Sequence, residues 1–170
     1  MPEKIRRHFL KAKEVKDLLS GVSGRLKVCL EQIFEGKVNV EVIKTEFAEI
    51  FLVNGKPILI KVGESIFPAL VFNGFLVSAS KVVVDMGAVP HVCNGANVMA
   101  PGIVCFEGEF MKGDFVVVVD EKHGKPIAIG EALYNSEEIK KIKQGVVVKN
   151  LHFVGDKIWN FMKKQDALAQ

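Results

Sequence analysis

The apolar residues of this chain come in short β-branched runs that stop at turn residues: "KVVVD" ends at Asp85, "DFVVVVD" at Asp120 and "GVVVKN" at Asn150. Runs of this length fit buried strands and little else, so a sheet-rich fold with short connections is predicted. They also fall well short of the roughly 20 residues that a membrane span needs. The opening "MPEKIRRHFLK" carries charge where a signal peptide would need an apolar segment, so a cytoplasmic protein is predicted, with no membrane partner. At 170 residues and 49% hydrophobic, the chain can bury one ordinary core or two small ones. Cysteines at 29, 93 and 105 form no CxxC pair, which argues against both a disulfide framework and a cysteine zinc site.

Charge is uneven along the chain. Residues 1–30 hold eight Lys/Arg against three Asp/Glu, and residues 136–164 hold seven against three, while the middle of the chain is acidic. Basic ends of this kind suit either a polyanion such as a phosphate backbone or plain solvation of helix faces.

The pattern predicts two modules. Val15, Leu18, Leu19 and Val22 follow helical spacing, and Leu26, Cys29, Leu30, Ile33 and Phe34 repeat it, with Ser23 placed to cap and Gly36 to end a second helix. Two helices are therefore expected before any strand. From Val38 the period becomes two; "EIFLVNGKPILI" reads as a hairpin turning at Asn54-Gly55, "FPALVF" as a further strand, and Asn73-Gly74 as a module boundary. In the second module "KVVVD" leads to Asp85, which can cap a short helix from Met86 to Cys93 that Gly95 ends. Pro90 inside that helix suggests a kink. "DFVVVVDEKHGKPIAIGEAL" reads as a hairpin at His123-Gly124, Ser136 as the cap of a short helix, and "GVVVKNLHF" and "KIWNF" as two strands joined at Gly155-Asp156. The expected class is α+β, a small α+β module followed by a mostly-β barrel with two short helices and a frayed tail over 163–170.

"VVVDMGAVPHVCNGANVMAPGIV", from Val82 to Val104, is the least ordinary stretch: three glycines and two prolines lie between two strands, with no lysine or arginine. Glycines gather where the chain turns sharply or something comes close. Here they permit either an ordinary turn or approach of a nucleic-acid backbone to main-chain N–H groups around the helix end. Arg6, Arg7 and His8 beside Phe9 could clamp phosphate and stack a base, or form a solvated leader with Phe9 tucked in. Trp159 and Tyr134 read as core. His152 alternates with Leu151 and Phe153 and should face away from them, onto the surface or a groove. His91 and Cys93 share no helix face and have no third ligand, so no metal is expected.

The order strand, "VDMGA", short helix, "NGANVMAPGI", strand resembles the opening of a PUA domain, an RNA-binding pseudo-barrel. The ending Gly145, Asn150, His152, Phe153, Asp156 and Trp159 resembles that domain's close. With the preceding module, the whole chain is similar to the malignant T-cell amplified sequence family of translation factors. The resemblance implies a pre-PUA domain over 1–75, a PUA domain over 76–162 and a flexible tail. It implies RNA contact, alongside the candidates Arg6 and Arg7, by Lys81, Gly87, Ala88, Asn94, Gly95 and Ala96. Asn97, Met99, Pro101, Gly102, Lys149 and His152 complete that set. It further implies tRNA or rRNA and the small ribosomal subunit as partners, during initiation or recycling, and an initiation-factor-one-like protein in trans. DNA and cofactors are not expected. An RNA-modification accessory is the alternative within RNA binding. A thiol enzyme using Cys93, His91 and Asp85 is the alternative from another class, although no phosphate-binding loop, HExxH or GxSxG occurs in the sequence.

Overall fold

The structure, a computed structural model, describes residues 4–28, 30, 34 and 36–169. The chain divides into two compact units, 1–77 and 78–170, and the fold is α+β.

Unit 1 opens with a strand: β1 (Arg6–Phe9) pairs antiparallel with β2 (Val40–Lys44), Arg7 opposite Ile43. Nothing apolar alternates in Arg-Arg-His-Phe, and pairing across the chain overrides local pattern here. The expected order of two helices before any strand is thus corrected. α1 (Ala12–Leu26) buries Leu19, Val22 and Leu26 along one stripe and ends at Lys27, which takes the left-handed conformation at φ 55°. Ser23 sits inside this helix and donates its hydroxyl to the Leu19 carbonyl at 2.5 Å, so it caps nothing. Most of the expected second helix lies outside the described residues.

β3 (Glu49–Val53) and β4 (Lys56–Val62) turn at Asn54-Gly55, whose φ values of 50° and 85° are those of the hairpin that the dipeptide signals. β5 (Ser65–Pro68) completes a sheet in the order β1-β2-β3-β4-β5. The expected strand "FPALVF" keeps only Phe67 and Pro68, and Asn73-Gly74 opens α2 (Asn73–Ser78) instead of a turn.

Unit 2 is a six-stranded sheet in the order β7-β11-β10-β9-β6-β8. Its elements are β6 (Lys81–Val84), α3 (Val89–Val92), β7 (Val98–Met99), a 3₁₀ turn (Ala100–Gly102), β8 (Ile103–Glu107), β9 (Phe115–Asp120), β10 (Pro126–Ala132), α4 (Ser136–Ile139), β11 (Val146–Phe153) and α5 (Lys157–Ala169). β9 is buried at every residue, which is why its sequence is one run of valine without polar alternation. Its core partners include Val82, Val84, Ile127, Val147 and Val148. The hairpin at Gly124 is held by Asp120, whose carboxylate accepts from the His123 N–H at 2.5 Å and the Lys125 N–H at 3.1 Å. The His123 N–H bond is the main cause holding that carboxyl below its ordinary range.

Three expectations for this unit need correction. "KIWNF" is helical, because Ile158, Phe161 and Met162 are buried at helical spacing and Asp156 caps the start. α5 then continues to Ala169, through the stretch expected to fray. Asn135, not Ser136, precedes α4; Ser136 is buried and its hydroxyl accepts from the Phe110 N–H at 3.3 Å.

Candidate nucleic-acid interface

The glycine-rich stretch is a closed excursion from the sheet. It leaves β6 at Asp85 and returns at Gly102, and the Asp85 N–H donates to the Gly102 carbonyl at 2.9 Å. Asp85 Oδ1 accepts from the Ala88 N–H at 2.8 Å, setting the turn that enters α3. The helix is a single turn. Pro90 therefore sits within its first turn, where no intrahelical donor is missed, and the expected kink is absent.

Past α3 the chain folds back on the helix end. Asn94 and Ala96 donate N–H groups to the His91 carbonyl at 3.1 and 3.0 Å, and Gly95 donates to Val92 at 3.0 Å. Of the two readings open for this stretch, these donors follow the ordinary turn: they are spent inside it. Gly95 has φ +95°, and a Cβ there would lie 3.4 Å from the Phe153 ring; a Cβ on Gly102 would lie 3.2 Å from that of Ala88. What comes close to these glycines is the protein's own chain.

The loop is pinned from beneath by Asn150 on β11. Its side-chain Nδ2 donates to the carbonyls of Val92 and Ala96, both at 3.0 Å, and its main-chain N–H donates to Asn97 Oδ1 at 2.9 Å. Past the end of the strand, Asp156 fixes the residues beside it. It accepts from the Phe153 N–H at 2.9 Å and the Trp159 N–H at 2.7 Å, and its Oδ2 lies 2.7 Å from His152 Nδ1. Burial pushes this carboxyl up, but the bond and charge of His152 and the two main-chain donors outweigh burial and leave it below its ordinary range. The closing Asn-x-His-Phe-x-x-Asp-x-x-Trp pattern is therefore a scaffold: Asp156 orders Phe153, Phe153 seats Gly95, and Asn150 clamps the carbonyls on either side.

What the scaffold leaves outside is a rim without lysine or arginine, with the Glu121 carboxylate at its edge accepting from the Met86 N–H at 3.1 Å. Gly87, Asn94, Gly95, Ala96, Asn97 and Pro101 are exposed, Ala88 and Gly102 are half-buried, and Met86 and Met99 stand 40% and 47% exposed at either side. Lys149, which precedes Asn150 on β11, is exposed. Lys81 lies at the other end of β6, where its ammonium donates to the Ala79 carbonyl at 3.2 Å. Arg6 and Arg7 belong to unit 1, with Arg7 ion-paired to Glu41 at 2.5 Å and Phe9 66% exposed, not tucked in. His152 is corrected outright: it is fully buried and cannot face a ligand. Trp159 is half-buried with the Lys163 ammonium 5.2 Å over its ring, and Tyr134 is 38% exposed, so neither is core. Sequence reasoning left Asn150 out of the candidate set, although the closing pattern contained it.

Among the described residues no group of three or more His, Cys, Asp or Glu could hold a metal ion. Cys93 is half-buried, and burial raises its thiol above the ordinary range, away from a nucleophile's requirement. Cys105 is exposed on β8. Iodoacetamide at pH 7 should therefore label Cys105 much faster than Cys93 in the native protein, read by peptide mass mapping; rapid labelling of Cys93 would restore the thiol-enzyme reading.

Comparison with known proteins decides the family. The PUA domain model matches residues 80–154, and a domain of unknown function, DUF1947, matches residues 6–72. An uncharacterized protein of Methanocaldococcus jannaschii is 44% identical over 92% of this chain and 96% of its own length. Translation machinery-associated protein 20 of Saccharomyces cerevisiae is 30% identical over 89% of this chain and 86% of its own. The chain belongs to the translation machinery-associated protein 20 family, in which malignant T-cell-amplified sequence 1-B of Xenopus laevis is a further relative. The crystal structure of a hypothetical protein from Pyrococcus horikoshii superposes with a TM-score of 0.74 at 38% identity, covering 92% of this chain and 99% of that one. The PUA match spans both halves of the site, the loop and the strand that clamps it.

Proposed function

We propose that this protein binds RNA in the translation apparatus, contacting the small ribosomal subunit or tRNA during initiation or recycling, and does so without catalysis. The observation that carries the reading is the Asn150 clamp, which holds a glycine-rich rim outside a PUA unit in a chain related to a translation-associated protein. A rim without lysine or arginine cannot supply the electrostatic part of RNA binding. It suits shape and edge contacts to unpaired nucleotides, with phosphates met elsewhere by Lys149 and the arginines of β1. Location in the cytoplasm and an initiation-factor-one-like partner in trans follow from the same reading.

Sedimentation tests it. The protein should travel with small ribosomal subunits in low-salt gradients and dissociate as salt rises, its affinity falling about tenfold or more over a fourfold salt increase if several phosphates are contacted. Absence from every ribosomal fraction with RNA binding intact would shift the reading toward an RNA-modification accessory.

A further inference from the structure

The barrel wall of unit 2 has an open seam. Among the described residues β8 is an edge strand that pairs with β6 alone, and what lies across from it is the segment 136–144, which is not a strand. The two segments run in opposite directions and are tied at both ends. At one end Ser136 donates its N–H to the Phe110 carbonyl at 2.9 Å; at the other Ala100 donates to the Gly145 carbonyl at 2.9 Å. Between the ties lies a half-open groove of about 490 Å³ lined by Ala100, Ile103, Cys105, Phe106, Ile139 and Ile142 among others. That volume is within the roughly 300–1,000 Å³ range of ligand-binding clefts.

An edge strand with apolar exposure is normally blunted by charge, proline or a cover. β8 has none of these along its middle: Val104 is 52% exposed and Cys105 is exposed. Charge is instead sorted to the ends. Glu107, Glu109, Glu137 and Glu138 gather toward the Phe110 tie and outnumber Lys81, opposite Glu107, and Lys112 there, while Lys140, Lys141 and Lys143 lie toward the Ala100 tie. Lys140 lines the groove and reaches back to Glu137 at 2.9 Å on the exposed surface, a pair that costs little to open.

We propose that this seam binds an extended peptide segment of a partner protein, added antiparallel to β8. The segment is apolar and β-branched at its centre, basic at its N-terminal end beside the glutamates and acidic at its C-terminal end beside the lysines. The strand edge supplies main-chain hydrogen bonds, the groove takes the side chains, and the sorted charges fix direction. The site stands apart from the RNA rim and does not depend on how that rim is used.

The probe is acetyl-Lys-Val-Ile-Val-Asp-amide, with acetyl-Asp-Val-Ile-Val-Lys-amide as its charge-reversed control, titrated into the full chain. Saturable amide shifts confined to residues 103–107 and 139–143, together with slowed alkylation of Cys105, are the expected result. Lys140→Glu should weaken the first peptide about fivefold and narrow the gap to the control. Cys105→Trp, which fills the groove from an exposed position, should abolish binding while the amide spectrum stays folded. Equal binding of the two peptides, shifts centred elsewhere, or no saturation at millimolar peptide would overturn the proposal. So would self-association that protects Cys105 without peptide, since a second copy would then be the occupant.

Discussion

Asp156→Ala is expected to cost unit 2 about 2–4 kcal/mol, the largest stability loss foreseen for any single side chain outside the apolar core. Loss of a helix cap accounts for about 1 kcal/mol, and leaving buried partners unsatisfied adds roughly 1–3 kcal/mol. The partners in question are His152, fully buried, and the Phe153 N–H. Trp159, the chain's one tryptophan, sits on α5 and reports the transition by fluorescence in a urea titration. Asp156→Asn keeps an acceptor for the cap but not the charge, so it should fall between the parent and the alanine variant. The pH dependence has a definite sign. The folded carboxyl titrates below its unfolded value, so its contribution is present above the unfolded value of about 3.9 and is lost as pH falls through the lower folded one. The stability gap between parent and Asp156→Asn should therefore close as pH falls into acid. A loss under about 1 kcal/mol for the alanine variant would mean that the closing pattern is not the scaffold described.

Asn150→Ala should do most of its damage to binding. Its two side-chain hydrogen bonds hold the Val92 and Ala96 carbonyls, and their loss should cost about 1–2 kcal/mol of stability. The loop keeps its internal bonds to His91 and Val92 but loses its anchor to β11. Amides of residues 94–97 should then exchange with solvent faster than the neighbouring strands, and RNA affinity should fall about tenfold or more because a mobile rim must be ordered on binding. Asn150→Asp is the sharper variant: it keeps the shape, removes both donors and places a carboxylate against two carbonyls. If either variant exchanged faster in the loop yet bound RNA like the parent, rigidity of the rim would be irrelevant to function.

Much of the strand framework was legible because β-branched runs and Asn54-Gly55 or His123-Gly124 turns act locally. Three features were not. β1 has no apolar alternation and is a strand through its pairing with β2, a tertiary effect that no window of sequence contains. "KIWNF" is too short to separate periods of two and 3.6; the deciding cues were the Asp156 cap and the buried Met162 just beyond it. His152 does face away from Leu151 and Phe153, but those two apolar neighbours are only half-buried and His152 is the residue on the core side. The register shifts there, with Ile129 opposite His152 but Gly130 opposite Asn150, so Leu151 is a bulge and the core face of the strand's end does not follow from its start. At the candidate site, the sequence located the loop and its turns but not the destination of its hydrogen bonds. Asn150 acts on a carbonyl 58 residues away, and the glycines answer to Phe153 and Ala88, partners that only folding brings near.

The central claim, that the rim outside the Asn150 clamp is where RNA is bound, is tested most directly by Ala96→Trp. The Ala96 side chain is exposed while its N–H and carbonyl are both used in the turn, so the substitution adds bulk on the rim without touching the clamp. Stability should change by no more than about 0.5 kcal/mol. Equilibrium binding of the parent and variant to purified small ribosomal subunits and to total tRNA, at one fixed salt concentration, is the measurement. The account expects the variant to lose about tenfold or more in affinity for at least one of them while its circular dichroism matches the parent's. Parent-like affinity for both, in a protein that remains folded, would contradict it and leave the loop a structural turn.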